Sequence, residues 1–410
     1  MTHTASLQTP LQPAPAPLTP AQRIRDDAEA VAVAIELASV FAVGASDRDR
    51  DRLLPWNELE RFSRSGLWGI TVPREYGGAG VSSVTLAEVV ATLSAADGSL
   101  AQIPQNHYYA LEVLRVGGSE AQKRFFYQQA LAGYRFGNAL AEIGHKDFRR
   151  RTRLIADGDG FRVDGRKFYC TGALYAHWIP TLVVADDDTQ YLAFVPREAD
   201  GVTIVDDWDG IGQRVTGSGS VAFEQVRVEA DWVVPFSASF TRPTPIGPFA
   251  QLLHAAIDTG TARGAWAATL DFVRTRARPW IDAGVDRASD DPLAIVQVGD
   301  LAVRLHAAEA LLRRGGRFVD AAQAQASDDS VAEASVAVAE ARVLSTEIAL
   351  KAGNRLFELS GTAATFGEHN YDRFWRNART HTLHDPVRWK FHAVGNFHLN
   401  GVRPPRHGAL

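Results

Sequence analysis

The sequence predicts an α+β protein built as three consecutive blocks: helices, then strands, then helices. Three observations carry this. From Ala21 to about Ala132 apolar residues recur every three or four positions, as at Leu111 and Leu114 and around Phe125, the spacing of a helix face. Between about Phe136 and Phe236 the period drops to two, with Phe161/Val163, Leu192/Phe194, Val221/Phe223 and Val226/Val228 alternating with polar neighbours, as half-buried strands do. After Pro248 the helical period returns at Leu301, Leu305, Ala308 and Leu312, then at Val336, Ala339, Val343 and Leu350. Blocks in that order argue against the alternating units of a parallel sheet.

Residues 1–20 contain five prolines and neither a basic start nor a continuous apolar stretch, so an extended or disordered tail is expected rather than a secretory signal. Residues 21–135 form an N-terminal helical domain. The run from Gly66 to Gly78, GLWGITVPREYGG, interrupts it, because clustered glycine and proline mark a loop. Residues 136–240 form a middle β domain, expected as a small antiparallel barrel. Asp157–Gly160 and Asp186–Asp188 fall where hairpin turns belong, since Asp and Gly tolerate the angles of tight turns. Residues 241–403 read as a C-terminal antiparallel helix bundle, and 404–410 as a short tail.

Composition narrows the function. The 410 residues carry 43 Lys plus Arg against 48 Asp plus Glu, a net charge of -5. That balance offers no broad basic field for nucleic acid or an anionic membrane. No uncharged apolar run approaches the roughly 20 residues that span a bilayer. Cys170 is the single cysteine, so no disulfide forms within the chain and no zinc spacing exists; a reducing, cytoplasmic setting and no metal centre are expected. Neither a G-x-G-x-x-G between strand and helix nor a G-x-x-x-x-G-K-[ST] occurs. Reducing electrons would therefore arrive on a carrier other than a tightly bound nicotinamide.

Several separated motifs then point to one family. The GLWGITVPREYGG run, the segment Ala139-Leu140-Ala141-Glu142-Ile143-Gly144-His145-Lys146-Asp147, and Val163-Asp164-Gly165-Arg166-Lys167-Phe168-Tyr169-Cys170-Thr171-Gly172 resemble the acyl-CoA dehydrogenase signatures across nearly the whole chain. The resemblance implies a helical domain, a β-barrel and a four-helix bundle around a flavin. Near the C-terminus, Arg376-Asn377-Ala378-Arg379 is followed by Thr380-His381-Thr382-Leu383-His384-Asp385-Pro386, where a dehydrogenase carries a glutamate base. With Asp206-Asp207-Trp208 and the run Ile211 to Ser220, this resembles the dibenzothiophene monooxygenase and sulfur-acquisition branch.

That branch implies a two-component monooxygenase: FMN, reduced by a separate NAD(P)H:flavin reductase, acts with oxygen on a small organosulfur compound. The alternative is an FAD-dependent acyl-CoA dehydrogenase with Asp385 as a displaced base. The resemblance makes His384 the leading acid or base, with His381, His107 and Asp385 as further catalytic candidates; an imidazole's pKa of about 6.5 suits proton exchange near neutrality. It assigns the flavin to Asn138, Glu142, Tyr169, Thr171, Arg214 and Arg379. Arg276 and Arg278, in Arg274-Thr275-Arg276-Ala277-Arg278, are implied to reach the flavin phosphate of a neighbouring subunit, hence a homotetramer. A guanidinium fork matches phosphate geometry.

Overall fold

The computed structural model describes residues 21–144, 146–147 and 149–410. The expected tail 1–20 and His145 lie outside them. The chain opens with α1 (Asp27–Ala42), α2 (Ala45–Asp51), α3 (Trp56–Ser65), α4 (Ser83–Ala96), α5 (Gly98–Gly117) and α6 (Glu120–Leu131). Their starts follow local chemistry. Asp26, Ser82, Asp97 and Ser119 each accept a hydrogen bond from a backbone N–H in the first turn, satisfying donors that the helix leaves free. The expected loop before α4 folds as two short 3₁₀ turns, Leu67–Gly69 and Arg74–Tyr76.

The strands are β1 (Arg153–Asp157), β2 (Gly160–Lys167), β3 (Trp178–Val184), β4 (Gln190–Pro196), β5 (Val202–Val205), β6 (Ser220–Glu229) and β7 (Val233–Pro235). Both expected hairpins form: Asp157 pairs with Gly160, and Val184 with Gln190. The expected antiparallel barrel does not. The strands make one open sheet in the order β5-β6-β2-β1-β3-β4-β7, and β1 runs parallel to β3. The physical reason is the stretch 168–177, which carries the chain from the end of β2 back across the sheet before β3 begins; a parallel pair requires such a crossover.

The last third holds α7 (Ala238–Thr241), α8 (Ile246–Thr275), α9 (Pro292–Ala324), α10 (Asp328–Ser360), α11 (Asp372–His381) and α12 (Arg388–Asn400). Leu301, Leu305, Ala308 and Leu312 are buried as their spacing requires, whereas Phe125 is exposed. The long helices α8, α9 and α10 pack on one another, and α4 from the first block packs on α8 and α9. The backbones of α4 and α8 come close at Gly260, where a Cβ would stand 2.2 Å from the Ala91 carbonyl oxygen. The bundle is thus built from both helical blocks. Among the described residues no single helix is long and apolar enough to cross a membrane, although the bent pair α1–α2 reaches that length together.

Candidate functional site

Titratable side chains gather where α8 meets the turn between α11 and α12. His254 and Asp258 stand four residues apart on α8, so they share a face. His381 ends α11, and the turn after it delivers His384 and Asp385. Asp258 is fully buried and is ion-paired with Arg342 of α10. Its other oxygen accepts from His381 Nδ1 at 2.6 Å. With Nδ1 protonated, His381 Nε2 becomes an acceptor, and the 3.0 Å contact to His254 Nδ1 is read as His254 donating. His254 Nε2 is left as a bare lone pair. His384 lies over His254, ring centroids 4.0 Å apart and tilted by 38°, and its Nδ1 faces Asp385 Oδ2 at 3.3 Å.

Burial sorts these groups. Burial, helped by repulsion from His384, His381 and Arg342, holds the His254 pKa well below that of a free imidazole. His381 is lowered too, since burial outweighs its carboxylate partner. Burial works against the Asp258 carboxylate, but His381 and Arg342 overcome it and keep its pKa below the usual value. The pair therefore rests as a neutral imidazole on a carboxylate. Asp385 follows the same logic: burial opposes its charge, yet His384, Arg342 and Lys390 hold its pKa far below the carboxylate range. Lys390 Nζ sits 2.7 Å from Asp385 Oδ1. The His384 side chain is 50% exposed and Asp385 only 7%, so only His384 meets water freely.

The back of this cluster is closed by the segment expected to be a tail. Gln251 Nε2 donates to the Gly408 carbonyl at 2.9 Å and lies 3.3 Å from Asp385 Oδ2. Lys390 also donates to the Ala409 carbonyl, and Leu410 is buried.

A second group of residues lines the crossover after β2. Tyr169 has φ 56, a left-handed conformation that strains a bulky residue, and it is exposed at 49%. Its carbonyl accepts from Asn138 Nδ2 at 3.2 Å, and Trp208 stands edge-on to its ring. Thr171, Ser218 and Thr216 form a buried hydroxyl chain with links of 2.8 and 2.6 Å. Asn377 Oδ1 accepts from the Gln213 N–H at 2.6 Å, tying this region to α11. Only glycine fits at 212, because a Cβ there would meet the Arg376 carbonyl oxygen at 2.1 Å.

Several buried polar atoms find no protein partner among the described residues: Asn138 Oδ1 and Gln213 Nε2 in this group, Gln251 Oε1 behind the histidines, and Gln102 Oε1, Gln105 Oε1 and Arg379 Nε. Buried polar groups are normally paired. A flat ring system with amide-like edges and an apolar face supplies such partners, and Tyr169 offers it an aromatic wall. These residues therefore fit a flavin.

Other expected site residues have different duties. His107 is wholly buried, with Nε2 donating to the Trp68 carbonyl at 2.8 Å and Nδ1 accepting from the Phe136 N–H at 3.1 Å. Both ring nitrogens are spent on backbone, which corrects its expected place as an acid or base. The reason is helical phase: His107 lies ~200° around α5 from Gln105, so it faces the Trp68 core. Glu142 is paired with Lys167 Nζ at 2.7 Å and accepts from Thr152 and Arg151. Arg214 reaches the Arg50 carbonyl at 3.3 Å. Arg276 and Arg278 are exposed at the far end of α8; at about 1.5 Å per residue, Arg276 stands roughly 33 Å along the axis from His254. One protomer does not bring them to the histidines.

His254, Asp258, Gln251, Arg342 and Lys390 were not expected. A signal existed: Gln251, His254 and Asp258 interrupt the apolar start of α8 at spacings of three and four, one polar stripe on a buried helix.

Residues 25–134 match the family model described as acyl-CoA dehydrogenase, N-terminal domain, and residues 252–389 that described as acyl-CoA dehydrogenase, C-terminal domain. The chain is 36% identical over 396 residues to a dibenzothiophene monooxygenase of Rhodococcus erythropolis, covering 92% of this chain and 95% of the relative. It is 32% identical over 386 residues to the probable FMNH2-dependent monooxygenase SfnC of Pseudomonas putida, covering 92% and 96%. The crystal structure of FMN-bound TdsC from Paenibacillus sp. A11-2 superposes with a TM-score of 0.89 at 30% identity, over 93% of this chain and 100% of that one.

Proposed function

The chain belongs to the acyl-CoA dehydrogenase family, in the branch of the dibenzothiophene monooxygenases, and from that premise we propose that it is an FMNH2-dependent monooxygenase that transfers one oxygen atom from O2 to a small organosulfur compound. The observation that carries this reading is the state of Asp385. An FAD-dependent acyl-CoA dehydrogenase needs a free carboxylate base there, and Asp385 is buried, ion-paired with Lys390 and held far below the usual carboxylate range. Such a group is a poor base. It orients a histidine instead.

Reduced FMN, when bound, supplies the electrons that activate oxygen. Tyr169 would give it an aromatic wall, and Asn138, Thr171, Gln102, Gln105 and Arg379 would offer partners to its polar atoms. His384 handles the proton: Asp385 takes its Nδ1–H, which leaves Nε2 as the exchanging nitrogen. His381 orients the cluster from beneath. Arg276 and Arg278 would serve the phosphate of a neighbouring subunit's flavin, which calls for a homotetramer or at least a dimer. The exposed apolar residues Trp280, Ile281, Leu293, Val296 and Val303 support such association, since apolar patches of this kind mark interfaces. The absent dinucleotide motif supports a separate NAD(P)H:flavin reductase as electron donor, and the buried lone Cys170 suits a cytoplasmic setting.

The test is turnover with a flavin reductase, NADH, oxygen and a panel of sulfides, sulfinates and thiophenes, read by mass spectrometry. A product heavier by one oxygen atom is expected. Rapid flavin bleaching by an acyl-CoA, or by NADH without reductase, would overturn the reading.

A further inference from the structure

His254 is a buried histidine in an unusual position. One face of its ring lies under His384, its Nδ1 is committed to His381, and its Nε2 has no partner among the described residues. Burying a polar ring carries a cost unless its hydrogen bonds are met, and a smaller apolar residue would fill α8 without it. The arrangement below it is directional. Arg342 holds Asp258, Asp258 takes the Nδ1–H of His381, and His381 Nε2 takes the Nδ1–H of His254. Each link fixes the tautomer of the next.

We propose that His254 is a positioning residue for His384, locked by the Asp258–His381 relay as a neutral imidazole whose electron-rich face stabilises the protonated ring of His384. The relay has a second effect. Because His254 must keep its proton on Nδ1 and stay neutral, it does not compete for the proton, and a proton entering the three-histidine stack resides on His384, the member in contact with water. The charged and titratable groups facing the stack are Asp258 on α8, Arg342 on α10, His381 and Asp385 on the turn, Lys390 on α12 and His407 on the docked C-terminal segment. The two carboxylates and two cations balance, so the face of His254 is a local determinant of whether His384 holds its proton. In oxygenation this matters only through His384, and to that extent the inference rests on the function proposed above.

The test does not need turnover. The carbon-bound ring proton of His384 is followed by NMR against pH in wild type, His254→Gln and His254→Phe. Glutamine keeps an N–H for His381 but removes the ring; phenylalanine keeps a ring face and loses the N–H. A cation over an aromatic face gains an amount equivalent to about one pH unit at a partly desolvated site. The His384 midpoint is therefore expected to fall by about one unit in His254→Gln and to stay near wild type in His254→Phe. Under turnover, His254→Gln lowers product per flavin oxidised about tenfold with a matching rise in hydrogen peroxide, FMN affinity is unchanged, and no further loss appears when it is added to His384→Phe. An unchanged midpoint in His254→Gln, or an equal fall in both variants, overturns the proposal. A normal titration shift without any oxygenated product in wild type would instead leave the relay standing and remove the assigned reaction.

Discussion

His107 and His384 are both histidines beside aromatic or imidazole rings, yet they live in opposite worlds. His107 is boxed by Trp68, Tyr108 and Phe136, and its two nitrogens close backbone hydrogen bonds that pin the turn at Trp68 and the isolated bridge between Phe136 and Trp178. Burial pushes its pKa down to about 3. His384 has one nitrogen on a carboxylate, one ring face on a second histidine and half its side chain in water. The difference teaches that a histidine's role follows from what its second nitrogen meets: a backbone group ends the proton path, and water or substrate keeps it open.

The sharpest break of this comparison is His384→Phe. The aromatic ring occupies much of the same space, so the protein stays folded, while coupled oxygenation falls about 10²–10⁴-fold and hydrogen peroxide rises. His381→Phe costs less activity, because it acts through its neighbours. Unfolding energetics separate the regions next. Asp258→Ala leaves Arg342 buried without its partner, a loss of about 3–5 kcal/mol, read as a lowered denaturant midpoint.

His107→Phe should do the reverse of His384→Phe: activity per folded molecule stays within a few-fold, and stability drops by about 1–3 kcal/mol because the Trp68 carbonyl and the Phe136 N–H lose their partner. Its pH dependence has a defined sign. The folded pKa lies below the unfolded value of about 6.5, so the stability carried by the neutral ring is complete above that pH and is lost as pH falls toward 3. Thermal melts of wild type should therefore fall more steeply with acid than those of His107→Phe. His254 and His381, both lowered, act in the same direction and remain in the variant.

The smallest expected effect sharpens the flavin side. Tyr169→Gly relieves the left-handed strain and removes the aromatic wall. FMN affinity, read by fluorescence titration, should weaken by several-fold, in line with the ~0.5–1.5 kcal/mol of an aromatic pair, with no loss of melting temperature.

Much of this molecule was legible in its residues. The shift from period 3.6 to period 2 and back delivered the block order, because side-chain periodicity is a local consequence of backbone geometry. The Asp- and Gly-rich turns marked both hairpins for the same reason, and the run from Arg376 to Pro386 located one wall of the site. Three things were decided only by tertiary structure. Whether the sheet closes depended on the crossover after β2, a connection whose path no local pattern specifies. What each histidine meets depended on helical phase and burial, and His107 and His384 differ in their partners rather than in their residue type. The third is the wall supplied by α8, where His254 and Asp258 meet His381 across more than a hundred residues of chain; pairing at that separation is set by how long helices pack, and a single sequence carries no register for it.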